Sequence, residues 1–161
     1  MTLRFGILTV SDRSSRGERL DASGPALVEL VRSQDWQVDR QAVVPDEINT
    51  IQAVLQNWAD SGEVDVILTT GGTGFAPRDV TPEATRAVVE RLTPGLDEAM
   101  RAASLRVTPH AMLSRAVSGI RKQTLIINLP GSPKGARENL QVVMPAMEHA
   151  VKLLRGENAG H

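Results

Sequence analysis

The architecture of this chain turns on Val64-Asp65-Val66-Ile67-Leu68-Thr69-Thr70-Gly71-Gly72-Thr73-Gly74. A short run of β-branched and large apolar residues passes straight into glycines interleaved with threonine, the pattern of a strand buried on both faces that ends in a loop. Glycines permit positive φ and let backbone N–H groups approach an anion, and threonine hydroxyls add donors, so the loop reads as one built to hold phosphate. A plain turn between strand and helix is the simpler alternative. No Gly-Lys-Ser/Thr follows, and Pro77 stands where a dinucleotide fingerprint needs glycine, which excludes the two commonest phosphate loops.

Working outward, residues 3–10, 36–44 and 124–129 have the same short apolar character and complete a set of four predicted strands. Helical patterns lie between them. Ser23 is predicted to cap a helix with Pro25 in its first turn, and Ile48, Ile51, Leu55 and Trp58 repeat at helical spacing. Thr81 and Pro82 read as the cap and first position of a helix reaching about Leu92, and Pro94-Gly95 open another. The segment 111–116 reads as core helix, with Arg115 a candidate anion contact. A last helix is expected from Ser132-Pro133, kinked at Pro145, which removes one helical bond. Strands apolar on both faces and alternating with helices imply an α/β fold, a three-layer αβα sandwich with a mostly parallel central sheet. Residues 1–155 are expected to form one domain and 156–161 a frayed tail.

In such a sheet, ligands bind beyond the carboxyl ends of the strands, which should bring Ser11-Asp12-Arg13, Asp46, the glycine loop and the 128–134 segment together. Asp79 follows the loop, and beside phosphate its carboxylate calls for a divalent cation; pairing with Arg78 is the bland alternative. Asp46 is most simply a helix cap. The Pro130–Lys134 stretch offers a helix N-terminus and a lysine to an anion. His110, His149 and His161 have no ligand spacing and read as structural or surface residues.

The formal net charge is -1 with both signs interspersed, so no basic face is available for nucleic acid. The absence of cysteine removes disulfides, thiolate metal sites and thiol nucleophiles. No apolar run approaches the roughly 20 residues a bilayer demands, and residues 3–8 read as a strand and not a leader, so a cytoplasmic protein is expected.

Taken in order, Thr9-Val10-Ser11-Asp12-Arg13, Val44-Pro45-Asp46-Glu47, Thr70-Gly71-Gly72-Thr73-Gly74, Pro77-Arg78-Asp79-Val80-Thr81-Pro82-Glu83, Pro94-Gly95, Met112-Leu113-Ser114-Arg115 and Leu129-Pro130-Gly131-Ser132-Pro133 resemble the molybdopterin adenylyltransferases over nearly the whole chain. The resemblance implies a homotrimer and a Mg²⁺-dependent reaction of molybdopterin with ATP that yields adenylylated molybdopterin and pyrophosphate. Asp46 and Asp79 match the family's essential aspartates and are the implied catalytic and metal-side residues. Ser11, Asp12, Thr70, Gly71, Gly72, Thr73 and Gly74 make up one part of the implied substrate-binding set. Ser114, Pro130, Gly131, Ser132 and Lys134 make up the rest. Fused members carry a metal-insertion domain without a counterpart in these residues, so hand-over to a separate molybdenum-insertion protein is expected. A non-catalytic molybdopterin carrier or trimeric scaffold would have the same fold and pocket.

Overall fold

The computed structural model describes residues 1–157. Strand β1 (Arg4–Val10) leads through a single helical turn, α1 (Asp12–Ser15), to α2 (Ser23–Arg32), β2 (Gln37–Val44), α3 (Ile48–Asp60) and β3 (Val66–Thr70). Then come α4 (Thr81–Val88), β4 (Arg91–Leu92), α5 (Pro94–Leu105), a 3-10 turn (Pro109–Leu113), β5 (Ser118–Arg121), β6 (Thr124–Leu129) and α6 (Pro133–Leu154). The six strands form one sheet in the order β2-β1-β3-β6-β5-β4. β2, β1, β3 and β6 are parallel, whereas β5 runs antiparallel to β6 and β4 antiparallel to β5.

Two apolar layers sandwich the sheet. On one face Phe5, Ile7, Leu68, Ile127 and Leu129 pack against Leu27 and Val31 of α2, Met100 of α5, and Leu140, Val143 and Met147 of α6. On the other, Leu8, Val10, Ile67 and Ile126 pack against Ile51, Leu55 and Trp58 of α3 and Ala84 and Val88 of α4. Each fully buried Leu, Ile or Phe contributes about 1.5–3 kcal/mol, so β1, β3 and β6, buried along nearly their whole length, anchor the structure. The chain leaves β1 for β2 on one side and returns past it to β3 on the other, which places the topological switch point between β1 and β3.

The three-layer, mostly parallel fold is as expected, but several local features differ. β4 and β5 escape an apolar-run criterion because Ser118-Gly119-Ile120-Arg121 is short and mixed, and β4 is a two-residue exposed edge. β2 is an edge strand of alternating exposure and not a strand apolar on both faces. Ser23 lies inside α2 and the Gly24 N–H is instead accepted by Asp21 Oδ1 at 3.1 Å. α4 stops at Val88, short of Leu92, and Thr81 does not cap it, because its hydroxyl is used elsewhere. Residues 111–116 are not core helix: Met112 is 65% exposed, and the segment is a 3-10 turn followed by extended chain. Ser132 does cap α6, accepting from Gly135 N–H at 3.0 Å, and the helix continues through Pro145 as one element. Of the expected tail, only Gly156 and Glu157 lie among the described residues.

Candidate active site

The carboxyl ends of β1, β2, β3 and β6 meet at one mouth. Ser11 N–H donates to Val44 O at 2.9 Å and Gly71 N–H to Leu129 O at 3.2 Å, so the four strand ends are tied in register. Gly71 sits at the switch point with φ +103, where a Cβ would lie 2.3 Å from Val10 O of β1. Only glycine fits there, for lack of space as well as for backbone freedom.

The loop's peptide groups are sorted by direction. The Gly71 carbonyl accepts from Thr81 Oγ1 at 2.9 Å and the Gly72 carbonyl from Thr81 N–H at 3.1 Å. The Thr73 and Gly74 carbonyls accept from the N–H and Nε of Arg115, each at 2.8 Å. Those four carbonyls share peptide planes with the N–H groups of Gly72, Thr73, Gly74 and Phe75. All peptides among the described residues are trans, so each captured carbonyl turns its partner N–H the opposite way. None of these four N–H groups donates to any group among the described residues. Consecutive unpaired amides are the substance of an anion cradle.

Two carboxylates flank this cradle. A Cβ on Gly72 would lie 3.1 Å from Asp46 Oδ1, and one on Gly74 would lie 3.0 Å from Asp79 Oδ2. Asp46 Oδ2 accepts from Asp12 N–H at 2.9 Å, while Asp46 N–H donates back to Asp12 Oδ1 at 3.0 Å. Asp46 is thus locked to the β1 loop and does not cap α3. Asp79 Oδ2 accepts from Ala76 N–H at 3.0 Å. Each carboxylate has one oxygen engaged by a backbone donor and a second with no donor among the described residues. Burial, together with the charges of Asp12 and Asp79, pushes the Asp46 carboxyl above its ordinary value despite the Asp12 N–H bond. Arg78 does not pair with Asp79; it forks onto Asp12 at 3.0 and 2.9 Å and reaches Glu47 at 3.0 Å, and its hydrogen bond holds Asp12 below the ordinary range.

No group of three or more His, Asp or Glu residues among those described could hold a metal ion. Two carboxylates beside free amide donors, each with one oxygen that accepts from no described group, suit a hard cation that keeps water and takes its remaining ligands from phosphate, which is how Mg²⁺ binds.

Two cavities share the loop as a wall. One, of about 310 Å³, is lined by Thr73, Gly74, Ser114 and Pro130, with Met100, Ala116 and Leu113 supplying apolar surface. The other, of about 290 Å³, is lined by Ser11, Thr70, Gly71 and Gly131. Ser132 borders both. Asp46 faces a more open recess with Arg78 and the first turn of α3. Thr70 lines its cavity, but its hydroxyl is spent on Pro130 O at 2.7 Å. Lys134 is exposed at the start of α6, its ammonium 3.9 Å from Glu138, and lines neither cavity.

Five more residues border the larger cavity: Asp97, Arg101 and Asn139 escaped sequence reasoning, His110 was read as structural or surface, and Asn128 was placed at the mouth only within the 128–134 segment. A signal existed for two of them. Asn128 interrupts a buried apolar strand, and Asn139 falls on the inward face of α6 between Ala136 and Val143. Asn128 Nδ2 donates to the hydroxyls of Thr69 and Thr85 at 3.0 and 2.9 Å, tying α4 to the sheet.

An α/β sheet with an anion cradle at its switch point, flanking carboxylates and a cavity on either side defines a class of proteins that handle phosphorylated ligands. The chain belongs to the family described as the probable molybdopterin binding domain, whose model matches residues 6–149. It is 49% identical over 162 residues to gephyrin of Dictyostelium discoideum, covering 94% of this chain but spanning only 22% of that protein's length. It is 43% identical over 160 residues to the molybdopterin adenylyltransferase of Helicobacter pylori strain J99, covering 96% and 89% of the two chains. The structure of the molybdopterin biosynthesis enzyme MoaB from Thermus thermophilus superimposes with a TM-score of 0.91 at 53% identity, over 97% and 98% of the two chains.

Proposed function

We propose that this protein is a molybdopterin adenylyltransferase, which joins AMP from ATP to the phosphate of molybdopterin and releases pyrophosphate. The reading is carried by one observation: a loop whose four amides are free and whose flanks are carboxylates separates two cavities. A reaction between two phosphorylated substrates needs such a divided site, with the anions brought together at the dividing wall.

In-line attack of a molybdopterin phosphate oxygen on the α-phosphorus forms one P–O bond and breaks the bond to pyrophosphate. Its demands are positioning and charge neutralisation, so no protein nucleophile is required. The N–H groups of residues 72–75 bind and orient phosphate oxygens. The open oxygens of Asp46 and Asp79 would hold Mg²⁺, which when bound neutralises phosphate charge. Asp12, fixed by Arg78, keeps Asp46 in place. The same reading carries a homotrimer, a cytoplasmic location and hand-over of product to a separate insertion protein; no described helix is long and apolar enough to cross a membrane.

The test is pyrophosphate release from Mg-ATP by the purified protein, with and without molybdopterin. Release should depend on molybdopterin and fall by at least about 100-fold in Asp79→Asn and Asp46→Ala. Molybdopterin binding without release by the wild type would make the protein a carrier or scaffold, and near-normal rates in both variants would remove the two aspartates from the mechanism.

A further inference from the structure

Arg115 follows the 3-10 turn and reaches back to the glycine loop with all three nitrogens of its guanidinium engaged. Its backbone N–H donates to Thr73 O and its Nε to Gly74 O, both at 2.8 Å. Nη2 donates to Asp79 O at 2.7 Å, and Nη1 pairs with Glu83 Oε2 at 2.7 Å. One residue therefore holds three carbonyls drawn from the two segments that carry the free amides and the Asp79 carboxylate. The peptide connecting Arg115 to β5 is itself fixed, since Arg101 of α5 donates to Ser114 O and Ala116 O at 3.3 and 3.0 Å.

We infer that Arg115 is a positioning residue for phosphate transfer: its backbone N–H holds the Thr73 carbonyl and its side chain the Gly74 and Asp79 carbonyls, which fixes the Gly74 and Phe75 N–H groups and the segment carrying Asp79 around one site. The division of labour within the loop follows from peptide geometry. Thr81 turns the first two peptides of the cradle and Arg115 the last two, and a trans peptide with its carbonyl fixed has no freedom left for its N–H. Without the Arg115 side chain the Gly74–Phe75 peptide, whose carbonyl is held by Nε, can flip, because Gly74 accepts either orientation at low cost, whereas the Thr73 carbonyl keeps its backbone donor in any variant. Flipping would present carbonyl oxygen to phosphate and replace attraction with repulsion. Lysine cannot substitute, because a single ammonium lacks the planar fork that spans Gly74, Asp79 and Glu83 together. Arg115 does not itself touch the substrate in this role, which separates it from a simple anion contact.

The kinetic consequence rests on the adenylyl-transfer reading, whereas the loop's order does not, so two arms are needed. In the kinetic arm, Arg115→Met and Arg115→Lys should each lower kcat by about 30–100-fold while the KM values for Mg-ATP and molybdopterin stay within about threefold, the signature of misplaced and not missing contacts. Glu83→Gln keeps the carbonyl contacts and should stay within about twofold of wild type. In the second arm, ¹⁵N relaxation on folded Arg115→Met should show order parameters at residues 73–79 falling from about 0.85 towards 0.6, with β1, β3 and β6 unchanged. Arg115→Lys with wild-type kcat, Glu83→Gln as impaired as Arg115→Met, or a loop as ordered in Arg115→Met as in wild type would each overturn the inference. A wild-type protein that releases no pyrophosphate would sink adenylyl transfer instead, and the relaxation arm would still decide whether Arg115 orders the loop.

Discussion

Replacing Gly71 with alanine tests whether the switch point is built on steric exclusion. At φ +103 an L-residue is strained by about 1–3 kcal/mol. The new Cβ would also lie 2.3 Å from Val10 O. That oxygen belongs to a central strand paired with β2 on one side and β3 on the other, so it cannot withdraw, and overpacking adds about 1–3 kcal/mol. The two together span about 2–6 kcal/mol, centred near 4, a large part of the stability of an ordinary domain. Gly62 provides the control: its φ is +72, but nothing lies within 4 Å of an added Cβ, so Gly62→Ala should cost only about 1–2 kcal/mol. Gly95, helical and with open space around it, should tolerate or gain from alanine by about 0.5–1 kcal/mol. For a chain of this length each kcal/mol moves Tm by roughly 2–4 °C, so Gly71→Ala should melt about 10 °C below wild type and Gly62→Ala about 3–5 °C below. Urea titrations of the three variants measure the differences directly. A Gly71→Ala protein within 1 kcal/mol of Gly62→Ala would refute the steric account.

Asp65 is buried at the opposite end of the sheet, and although burial acts to raise its pKa, hydrogen bonds from Arg4 and Arg155 hold it below the ordinary range. Asp65→Ala should therefore cost about 2–4 kcal/mol at neutral pH, with both arginines partly solvated and so below the full penalty of an orphaned buried charge; the wild-type advantage should persist above pH 4 and disappear as pH falls through the lowered pKa. Asp97 has the opposite sign: burial raises its carboxyl despite hydrogen bonds from Ser118 N–H and Oγ, so the native state holds a proton that the unfolded chain has lost, and stability declines as pH rises from 3.8 through the raised value. Asp97→Asn should flatten that slope relative to wild type in urea titrations across acid pH, and a steeper slope in the variant would contradict this assignment.

The strands most plainly visible in the sequence were those governed by burial on both sides. β1, β3 and β6 are continuous apolar runs because helices cover both faces of the central sheet. β5 was invisible because its pairing with β6 depends on a neighbour and not on its own composition, and Gly119 within it would set a Cβ 2.7 Å from Val89. Caps were misread where a tertiary partner competed successfully for the side chain: Thr81 gives its hydroxyl to Gly71 O, and Asp46 accepts from Asp12. For the site, convergence of the strand ends was legible from the rule for parallel sheets. Side-chain direction was not: Thr70 spends its hydroxyl on Pro130, and Asp97, reaching the cavity from α5, left no trace in the pattern.

Glycine at 72 and 74 has a meaning beyond backbone freedom. Both positions are where a carboxylate oxygen approaches the loop, and at 72 the Thr81 hydroxyl comes closer still, 2.4 Å from an added Cβ, so the missing Cβ atoms leave room for Thr81 as well as for Asp46 and Asp79. Negative groups beside an anion site are a liability unless a cation is shared: two unit charges 4 Å apart in a partly solvated site repel by about 4 kcal/mol. In the protein alone the carboxyl of Asp46 is raised chiefly by burial, with the charges of Asp12 and Asp79 adding to it. Under the proposed function, amides that favour phosphate and carboxylates that oppose it would be reconciled by a ligand that brings phosphate and a divalent cation together, as Mg-ATP does. The same electrostatics would disfavour bare phosphate and nucleotide without metal. Selection for the metal complex would then be inherent in two glycines and the carboxylates they admit, with Arg115 and Thr81 keeping the amides turned towards the same ligand.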